Sequence, residues 1–301
     1  MSLPPEDLPV TEQSNPATAG LDQLSTEEML ALIHAQDADV AAAVHSALPE
    51  IVRAVDLIAE RVGSGGRLFY AGAGTSGRIG LLDAAEWRPT FGTPVGTVRA
   101  IIAGGTMASV ESAADVEDDE QTGAADLRAG DVSAGDVVIG ITASGATPYV
   151  LGVLRAAREA GAATVSIACN PRAPVAALSD VAIVAVTGPE VIAGSTRMKA
   201  GTAQKMILNM LSTAVNVKLG KVFGNLMVDI QPLNQKLMER ARRIVAEATG
   251  VSPADAATLL DAAGGNVKAA VVMAVTGVDL PEAQRRLERA GGFVRVAIEG
   301  G

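Results

Sequence analysis

A glycine-rich stretch with two adjacent hydroxyls is the first part of the chain whose residue types could do chemistry. Gly72-Ala73-Gly74-Thr75-Ser76-Gly77 follows an apolar run, Leu68-Phe69-Tyr70, and apolar residues at helical spacing come after it. This order predicts a strand, a glycine turn and a helix. Backbone N–H groups in such a turn can approach an anion, and the helix N-terminus adds a positive dipole end. Gly74, Thr75 and Ser76 are therefore candidate contacts for a phosphate or phosphosugar.

The same letters also match the G-x-G-x-x-G fingerprint of dinucleotide-binding proteins, a weak signal when it stands alone. That fingerprint needs an acidic residue about 20 positions later, at the tip of the next strand, to hold the ribose. The next predicted strand, Thr97–Ala103, ends in Gly104-Gly105-Thr106 and has no carboxylate at its tip. A nicotinamide cofactor is therefore the weaker interpretation.

Two later loops add candidate substrate contacts, and the earlier of the two repeats the hydroxyl and glycine chemistry of the first loop. One contains Ser144, Gly145 and Thr147 and lies between a predicted strand and a predicted helix. Hydroxyls beside glycine at two strand tips favour one shared phosphosugar pocket over two unrelated helix caps. The other loop carries Glu190 and precedes Arg197-Met198-Lys199. We include Glu190 and Lys199 among the candidate substrate-binding residues, although such charges are also common on solvated surfaces.

Two glutamates are candidates for acid–base work. Glu86 ends the helix that follows the first glycine turn and stands among apolar residues next to Trp87. Burial there would keep its carboxyl protonated, as a general acid requires. Glu117 stands in an acidic run, 111–120, which by itself is typical of a solvated helix face.

The elements that must position these residues alternate between strand and helix. Apolar runs predict five strands, and their lack of polar alternation indicates a parallel sheet covered by helices on both faces; these runs are Arg67–Ala71, Thr97–Ala103, Asp136–Ile141, Ala163–Ala168 and Val181–Val186. Ligands bind such sheets at the carboxyl ends of the strands. The predicted helices are Ser76–Glu86, Met107–Gly123, Pro148–Ala160, Lys199–Leu219 and Leu233–Glu247.

The ends of the chain are predicted to be helical additions to this sheet. Residues 1–20 carry four prolines and look extended and poorly structured. A capping box at Ser25 starts a helix to about Asp39, and another helix runs from about Ala41 to Val62. After Gly250, three short helices predict a small bundle similar to a ubiquitin-associated module. The predicted domains are 1–66 (N-terminal helices), 67–250 (phosphosugar-binding domain) and 251–301 (bundle).

Composition narrows the function classes. The formal net charge of −10 argues against a nucleic-acid surface, which needs a basic stripe. No apolar run reaches the roughly 20 residues that span a bilayer, and no signal-peptide core precedes the fold, so we expect a cytoplasmic protein without a membrane partner. The chain has one cysteine, Cys169, and two histidines, too few of the usual zinc ligands, and we predict no metal site.

Several separate blocks of the chain together resemble the N-acetylmuramic acid 6-phosphate etherase family of the sugar-isomerase (SIS) domain superfamily. The matching blocks are Thr11–Gln13 with Asn15-Pro16, Gly72–Arg78, Asp83–Glu86 with Pro89–Gly92, Ala143–Gly145 with Thr147–Val150, Cys169–Pro171, Arg197–Lys205 and Gly220–Asp229. The resemblance extends over nearly the whole chain. Two departures are Trp87-Arg88, where the family often has Cys-Pro, and Ala114, where many relatives carry a glutamate.

The resemblance implies a lyase that needs no cofactor and acts on a phosphorylated amino sugar, commonly as a homodimer. Opening of the sugar ring exposes an aldehyde, so the C2 proton becomes acidic; a base removes it, lactate leaves C3, and water adds to C3. By family position, Glu86 is the acid toward the lactyl oxygen and Glu117 is the base at C2. The family's phosphate and sugar contacts match Thr75, Ser76, Ser144, Gly145 and Thr147. A role in cell-wall sugar recycling is also implied.

Two other functions would use the same phosphosugar-binding loops, and both remain open at this point. An aldose–ketose isomerase of the same superfamily would bind the phosphosugar without releasing lactate. A non-catalytic regulator, such as the glucokinase regulatory protein that resembles this family, would bind without turnover. The presence of both Glu86 and Glu117 favours catalysis.

Overall fold

The computed structural model describes residues 8–105, 114–230 and 235–300. Three short 3₁₀ turns come first, at Val10–Glu12, Pro16–Thr18 and Leu21–Gln23. The helices and strands then follow in chain order as α1 Thr26–Ser46, α2 Leu48–Gly63, β1 Leu68–Gly72, α3 Gly74–Phe91, β2 Val98–Ile102, α4 Ala114–Glu117, α5 Glu120–Ala129, β3 Val137–Ile141, α6 Pro148–Glu159, β4 Ala163–Ala168, β5 Val181–Val184, α7 Lys199–Lys218, β6 Val222–Phe223, β7 Leu226–Met227, α8 Gln235–Thr249, α9 Pro253–Ala262, α10 Val267–Thr276, α11 Leu280–Arg289 and α12 Val294–Glu299. A further 3₁₀ turn, Pro174–Leu178, lies between β4 and β5.

The chain divides into two compact units. The first consists of Met1–Ala84 and Gly96–Leu211, and the second of Ala85–Val95 and Ser212–Gly301. These units differ from the three segments expected from the sequence, because the short stretch 85–95 is grouped with the C-terminal part of the chain. The division into 1–66, 67–250 and 251–301 stays a prediction.

The first unit is built on a five-stranded parallel sheet with the strand order β2-β1-β3-β4-β5, which confirms the predicted fold class. The register pairs Gly72 with Ile102 on one side and with Ile141 on the other, so the carboxyl ends of β2, β1 and β3 lie at one edge of the sheet. β1, β3 and β4 are buried along their whole length, as their unbroken apolar runs predict.

Helices cover both faces of this sheet. Tyr70 faces α3, since a Cβ added at Gly80 would lie 3.2 Å from the Tyr70 Cβ. Phe69 points to the opposite face, where it belongs to the core cluster formed with Leu127 of α5 and Leu154 of α6. The alternation of two neighbouring aromatic residues thus matches a sheet enclosed on both sides.

The second unit is helical, with a two-stranded antiparallel hairpin of β6 and β7. Its core is aliphatic and includes fully buried Val245, Leu260 and the stretch Ala269–Val272. The C-terminal bundle contains the three predicted helices, and a fourth short helix, α12, follows them in the described part of the chain.

Several predicted boundaries are wrong, each for a local reason. α1 continues to Ser46 rather than ending near Asp39, because the break falls before Pro49, which occupies the first turn of α2. α3 runs on through Pro89 to Phe91, and Gly92, with a φ of 63°, follows its end. β5 ends at Val184, two residues earlier than expected.

The helix predicted over Met107–Gly123 is also corrected. Residues 107–113 lie outside the described part, and the remainder forms two helices, α4 and α5, separated at Asp118-Asp119. Asp119 caps α5 by accepting bonds from the backbone N–H groups of Gln121 and Thr122. For the helix predicted from Leu233, residues 231–234 likewise fall outside the described part, and α8 is seen from Gln235.

The N-terminal segment is more ordered than its proline content suggests. Thr11 is fully buried, and the Thr18 hydroxyl donates to the carbonyl of Val191 at 2.8 Å. The Asn15 amide donates to the side chain of Gln36 at 2.7 Å. The expectation of a poorly structured start is therefore wrong for residues 8–20, because polar side chains tie them to the first unit.

Among the described residues, no single helix is long and apolar enough to cross a membrane. One pair, α9 with α10, would together be long and apolar enough to cross a membrane, but the two helices meet at a bend of 114°. Their apolar residues, including Leu260 and Val271, form part of the core of the second unit.

Candidate functional site

Close packing between β1 and α3 shapes the first glycine loop. A Cβ at Gly72 would lie 2.8 Å from the backbone nitrogen of Gly77, and a Cβ at Gly77 would lie 2.6 Å from the carbonyl oxygen of Gly72. Both contacts are too short for a side chain, so this approach of helix to strand requires glycine at both positions. Gly74, the first residue of α3, has a φ of 51°.

The hydroxyls of this loop lie in the first turn of α3, as the sequence predicts. The first N–H groups of a helix have no carbonyl acceptor within the helix, so they are available to an anion. Thr75 is half-buried, and Ser76 is buried. The Ser76 hydroxyl donates to Oε1 of Gln204, on α7, at 3.0 Å. Gln204 is itself only 1% exposed, and its Nε2 has no hydrogen-bond partner among the described residues.

The second hydroxyl loop is organised by its own side chains. The hydroxyls of Thr142 and Thr147 lie 2.8 Å apart, and the backbone N–H groups of Gly145 and Ala146 donate to Thr142 and Ser144. Gly145 has a φ of 75°, and a Cβ there would lie 2.2 Å from the Cβ of Ala173, so no other residue fits. Because β1 and β3 are paired at Gly72 and Ile141, both hydroxyl loops follow strands that end at the same edge of the sheet.

Glu190 and Lys199 are both buried at the start of α7. The carboxylate of Glu190 accepts bonds from the backbone N–H groups of Lys199 and Ala200 at 2.9 and 3.0 Å, so it caps the helix. Lys199 is 3% exposed, and its ammonium donates to Oε1 of Gln36 at 3.2 Å. A buried ammonium beside a neutral acceptor retains attraction for an anion. Contact of either residue with a substrate stays a prediction.

Glu117 ends α4 and lies near the first glycine loop. A Cβ built on Gly74 would be 3.9 Å from Oε2 of Glu117. The side chain is half-buried rather than fully solvated. Burial, followed by the neighbouring charge of Asp118, raises the pKa of Glu117 above its ordinary value. The structure thus places this carboxylate beside the predicted phosphate cradle.

Glu86 is exposed on α3, so the expectation that it is buried is wrong for the single chain. In the second half of this helix, from residue 81 onward, the buried positions are Asp83, Trp87 and Phe91, which recur every four residues on one side. The rings of Trp87 and Phe91 meet edge to face with centroids 6.4 Å apart. Since successive helical residues are about 100° apart, Glu86 lies off that buried side.

Two residues that the sequence reasoning did not single out support these loops. Gln204 bonds Ser76, and Asn170 donates from Nδ2 to the carbonyl of Ser144 at 3.2 Å. Both occur in blocks that carry the family resemblance, Arg197–Lys205 and Cys169–Pro171. Their place within those blocks was the one available signal, because neither amide has a characteristic spacing from the hydroxyls that it contacts.

Metal or thiol chemistry has no support in the described part of the chain. No group of three or more His, Cys, Asp or Glu side chains there could hold a metal ion. Burial, with the nearby charge of Glu190, raises the pKa of Cys169 to about 12, so its thiol stays protonated and unreactive at neutral pH.

Comparisons with known proteins agree on one family. Two family models match: the glucokinase regulatory protein N-terminal SIS domain over residues 50–158, and the SIS domain over residues 114–214. N-acetylmuramic acid 6-phosphate etherase of Symbiobacterium thermophilum is 55% identical over 87% of this chain and 87% of its own length. The enzyme of the same name from Aeromonas hydrophila is 52% identical over 88% of this chain and 89% of its own length.

Solved structures give the same fold at low sequence identity. A phosphoheptose isomerase from Neisseria gonorrhoeae superposes with a TM-score of 0.51 at 16% identity, covering 64% of this chain and all (100%) of its own. The corresponding enzyme from Francisella tularensis has a TM-score of 0.50 at 14% identity with the same coverage, 64% and 100%.

Proposed function

The chain belongs to the N-acetylmuramic acid 6-phosphate etherase family, and we propose that it is the lyase that cleaves the lactyl ether of N-acetylmuramic acid 6-phosphate. The products are N-acetylglucosamine 6-phosphate and D-lactate. Identity of 50–55% over nearly nine-tenths of the chain supports this activity over that of the two isomerases, which share the fold at 14% and 16% identity.

The two hydroxyl loops would hold the phosphate end of the sugar. Backbone N–H groups at the start of α3, with the hydroxyls of Thr75 and Ser76, suit the oxygens of a phosphate. Ser144, Gly145 and Thr147 would bind the same phosphate from the loop that follows the adjacent strand, β3. Anchoring the phosphate fixes the rest of the substrate relative to the catalytic carboxylates, which lowers the entropic part of the barrier.

The position of Glu117 is the observation that carries the mechanism. Its carboxylate lies beside Gly74, and its pKa is raised by burial and by Asp118. A carboxylate whose pKa is closer to the working pH is a stronger base, yet it remains ionised above that pKa. We therefore assign Glu117 to removal of the C2 proton from the open-chain aldehyde. The electron pair of the C2–H bond forms the C2–C3 double bond as the lactyl oxygen leaves C3.

Glu86 is assigned to proton donation to the departing lactyl oxygen, and water then adds to C3 of the unsaturated aldehyde. Glu86 is exposed in the single chain. A proton donor works best where bulk water is excluded, and a second copy of the chain would provide that cover. A homodimer is therefore part of the proposal, as is a cytoplasmic location; sedimentation of the purified protein tests the first.

Incubation with N-acetylmuramic acid 6-phosphate, followed by assay of D-lactate, tests the function. We expect lactate from the wild type and a rate at least about 100-fold lower from Glu86→Gln, the usual range for loss of a general acid. Glu60→Gln, an exposed change on α2, is the matched control and should keep full activity. Binding of the sugar without lactate release would instead favour the regulator.

A further inference from the structure

In the buried contact between Ser76 and Gln204, the Ser76 hydroxyl donates its only proton to Gln204, and this leaves no proton for a hydrogen bond to an anion. A hydroxyl carries one proton, and that of Ser76 is donated to Oε1 of Gln204 at 3.0 Å. A phosphate oxygen can only accept a hydrogen bond, so Ser76 must withdraw its proton from Gln204 to bind it. In the arrangement observed, Ser76 can accept a hydrogen bond but cannot donate one to a ligand.

The other end of the same amide is unsatisfied. Nε2 of Gln204 is buried and has no acceptor among the described residues. An unpaired buried donor is unfavourable, and buried side-chain amides in native proteins nearly always find a partner. The Gln204 side chain thus carries a buried donor for which the described residues supply no acceptor.

We propose that Gln204 is a positioning residue for the phosphate end of the substrate, and that its hydrogen bond to Ser76 reverses when the anion binds. Rotation about the last side-chain bond exchanges Oε1 and Nε2, so Nε2 donates to the Ser76 oxygen. The Ser76 proton then points to the phosphate. The proposal rests on the proposed function, because it takes the cradle around Ser76 to be the phosphate site.

The proposed role requires an amide at position 204. An amide offers both an acceptor and a donor, whereas a carboxylate only accepts and an apolar side chain does neither. A donor to the hydroxyl oxygen also strengthens the bond that the hydroxyl gives to the anion, since linked hydrogen bonds polarise one another. Gln204 acts through Ser76 and is not itself assigned a contact with the sugar.

Four variants test the reversal: Gln204→Met, Gln204→Glu, Ser76→Ala and the double variant Ser76→Ala/Gln204→Met. Gln204→Met is close in volume and removes both amide groups. We expect the KM for N-acetylmuramic acid 6-phosphate to rise about threefold in Gln204→Met and about tenfold in Ser76→Ala, with kcat changed less. Gln204→Glu should raise KM more than Gln204→Met does, because a carboxylate holds the Ser76 proton. Asn209→Asp, an exposed amide-to-carboxylate change on the same helix, should leave KM unchanged.

The double variant separates a positioning role from a packing role. If Gln204 acts through Ser76, the double variant is no worse than Ser76→Ala alone. Equal losses from Gln204→Met in the two backgrounds would overturn the proposal, as would equal KM values for Gln204→Met and Gln204→Glu. If Gln204→Glu does not fold, the Gln204→Met cycle alone decides.

A binding measurement keeps this test independent of the reaction. Inorganic phosphate should raise the Tm of the wild type, and it should raise that of Gln204→Glu less at the same concentration. Equal Tm shifts in the two proteins would overturn the reversal. Absence of lactate from the wild type would instead contradict the proposed function, while the phosphate-dependent Tm shifts would still report on the Ser76–Gln204 contact.

Discussion

The carboxylate of Glu117 lies beside Gly74, with Oε2 at 3.9 Å from the position that a Cβ on Gly74 would occupy. Glu117 belongs to α4, and Gly74 begins α3. The acidic run 111–120 resembles a solvated surface by composition, yet the carboxylate of Glu117, one of its members, lies beside the glycine loop. The same contact places an acidic group near a predicted anion site, and the half-burial of Glu117 makes its ionised form costly.

The pH dependence of the reaction should reflect Glu117. Burial and Asp118 raise its pKa, so the acidic limb of kcat/KM should lie above the ordinary carboxyl value of 4.5. Asp118→Asn removes the neighbouring negative charge and should move that limb to lower pH. A pH–rate profile of D-lactate release checks this, with Asp22→Asn, an exposed change in an N-terminal turn, as control. A limb that stays in place in Asp118→Asn would contradict the assignment.

Glu117→Gln should lower the rate of lactate release and raise the stability of the fold. A carboxyl whose pKa is raised by folding favours the folded state most below its ordinary pKa, and this benefit is lost as the pH rises through the folded value. At pH 7 the ionised group is therefore unfavourable, and its neutral amide should raise Tm while lactate release falls at least about 100-fold. Thermal unfolding at pH 7 and at pH 4 gives the comparison; a Tm gain that is as large at pH 4 would point to another cause.

Gly74→Ala should weaken substrate binding as well as the fold. Its φ of 51° is unfavourable for a residue with a side chain and costs about 1 kcal/mol, although the added methyl meets nothing closer than 3.9 Å. Gly65→Ala is matched, with a φ of 92° and open space, and lies at the end of α2. Both should lose similar stability in denaturant unfolding, but only Gly74→Ala should raise KM. An equal KM for the two variants would contradict the assignment of Gly74 to the substrate-binding site.

The ion pair of Arg67 and Asp136 should dominate the acid sensitivity of the first unit. Burial raises the pKa of Asp136, but bonds from Arg67 and Ser133 more than offset this, and the net pKa is lowered below 3.8. The stabilisation is thus present above the ordinary pKa and is lost as the pH falls through the folded value. Asp136→Asn should cost about 2 kcal/mol at pH 7, and this difference from the wild type should shrink as the pH falls below 3.8. Chemical unfolding at a series of pH values on both sides of 3.8 is the measurement.

A second charge cluster should hold the C-terminal unit together. Oδ2 of Asp229 accepts from Lys221 at 2.6 Å and from Lys268 at 2.9 Å, and Lys268 is 7% exposed. Burial lowers the pKa of Lys268, and Asp229 partly compensates. Asp229→Asn should destabilise by about 2 kcal/mol, because it leaves a buried ammonium without its counter-charge.

The matched control for this cluster is Glu282→Gln. Glu282 pairs with three arginines on α11, and these side chains are more exposed than that of Lys268, so the change should cost less free energy of unfolding than Asp229→Asn does. Equal losses in the two variants would mean that burial of Lys268 contributes nothing.

The sequence predicted the sheet well because its strands are unbroken apolar runs between glycine turns, a pattern that few other folds produce. The hydroxyl loops followed from the same reading, since parallel strands end at one edge. The burial of Glu86 was not predicted correctly, because a helix of mixed composition can bury any of several sides. There the large rings of Trp87 and Phe91 take the buried positions, four residues apart. The role of Gln204 was not predictable, since its partner Ser76 lies 128 positions away in the chain.

The edge-to-face pair of Trp87 and Phe91 has one more consequence. Trp87 is the only tryptophan of the chain, is 2% exposed and directly follows Glu86 in the sequence. Its fluorescence therefore arises from one known position next to the proposed acid, free of any second indole signal. The protein therefore carries its own optical reporter for the second unit, to which Trp87 belongs, so the unfolding of that unit can be followed by emission alone and without a label.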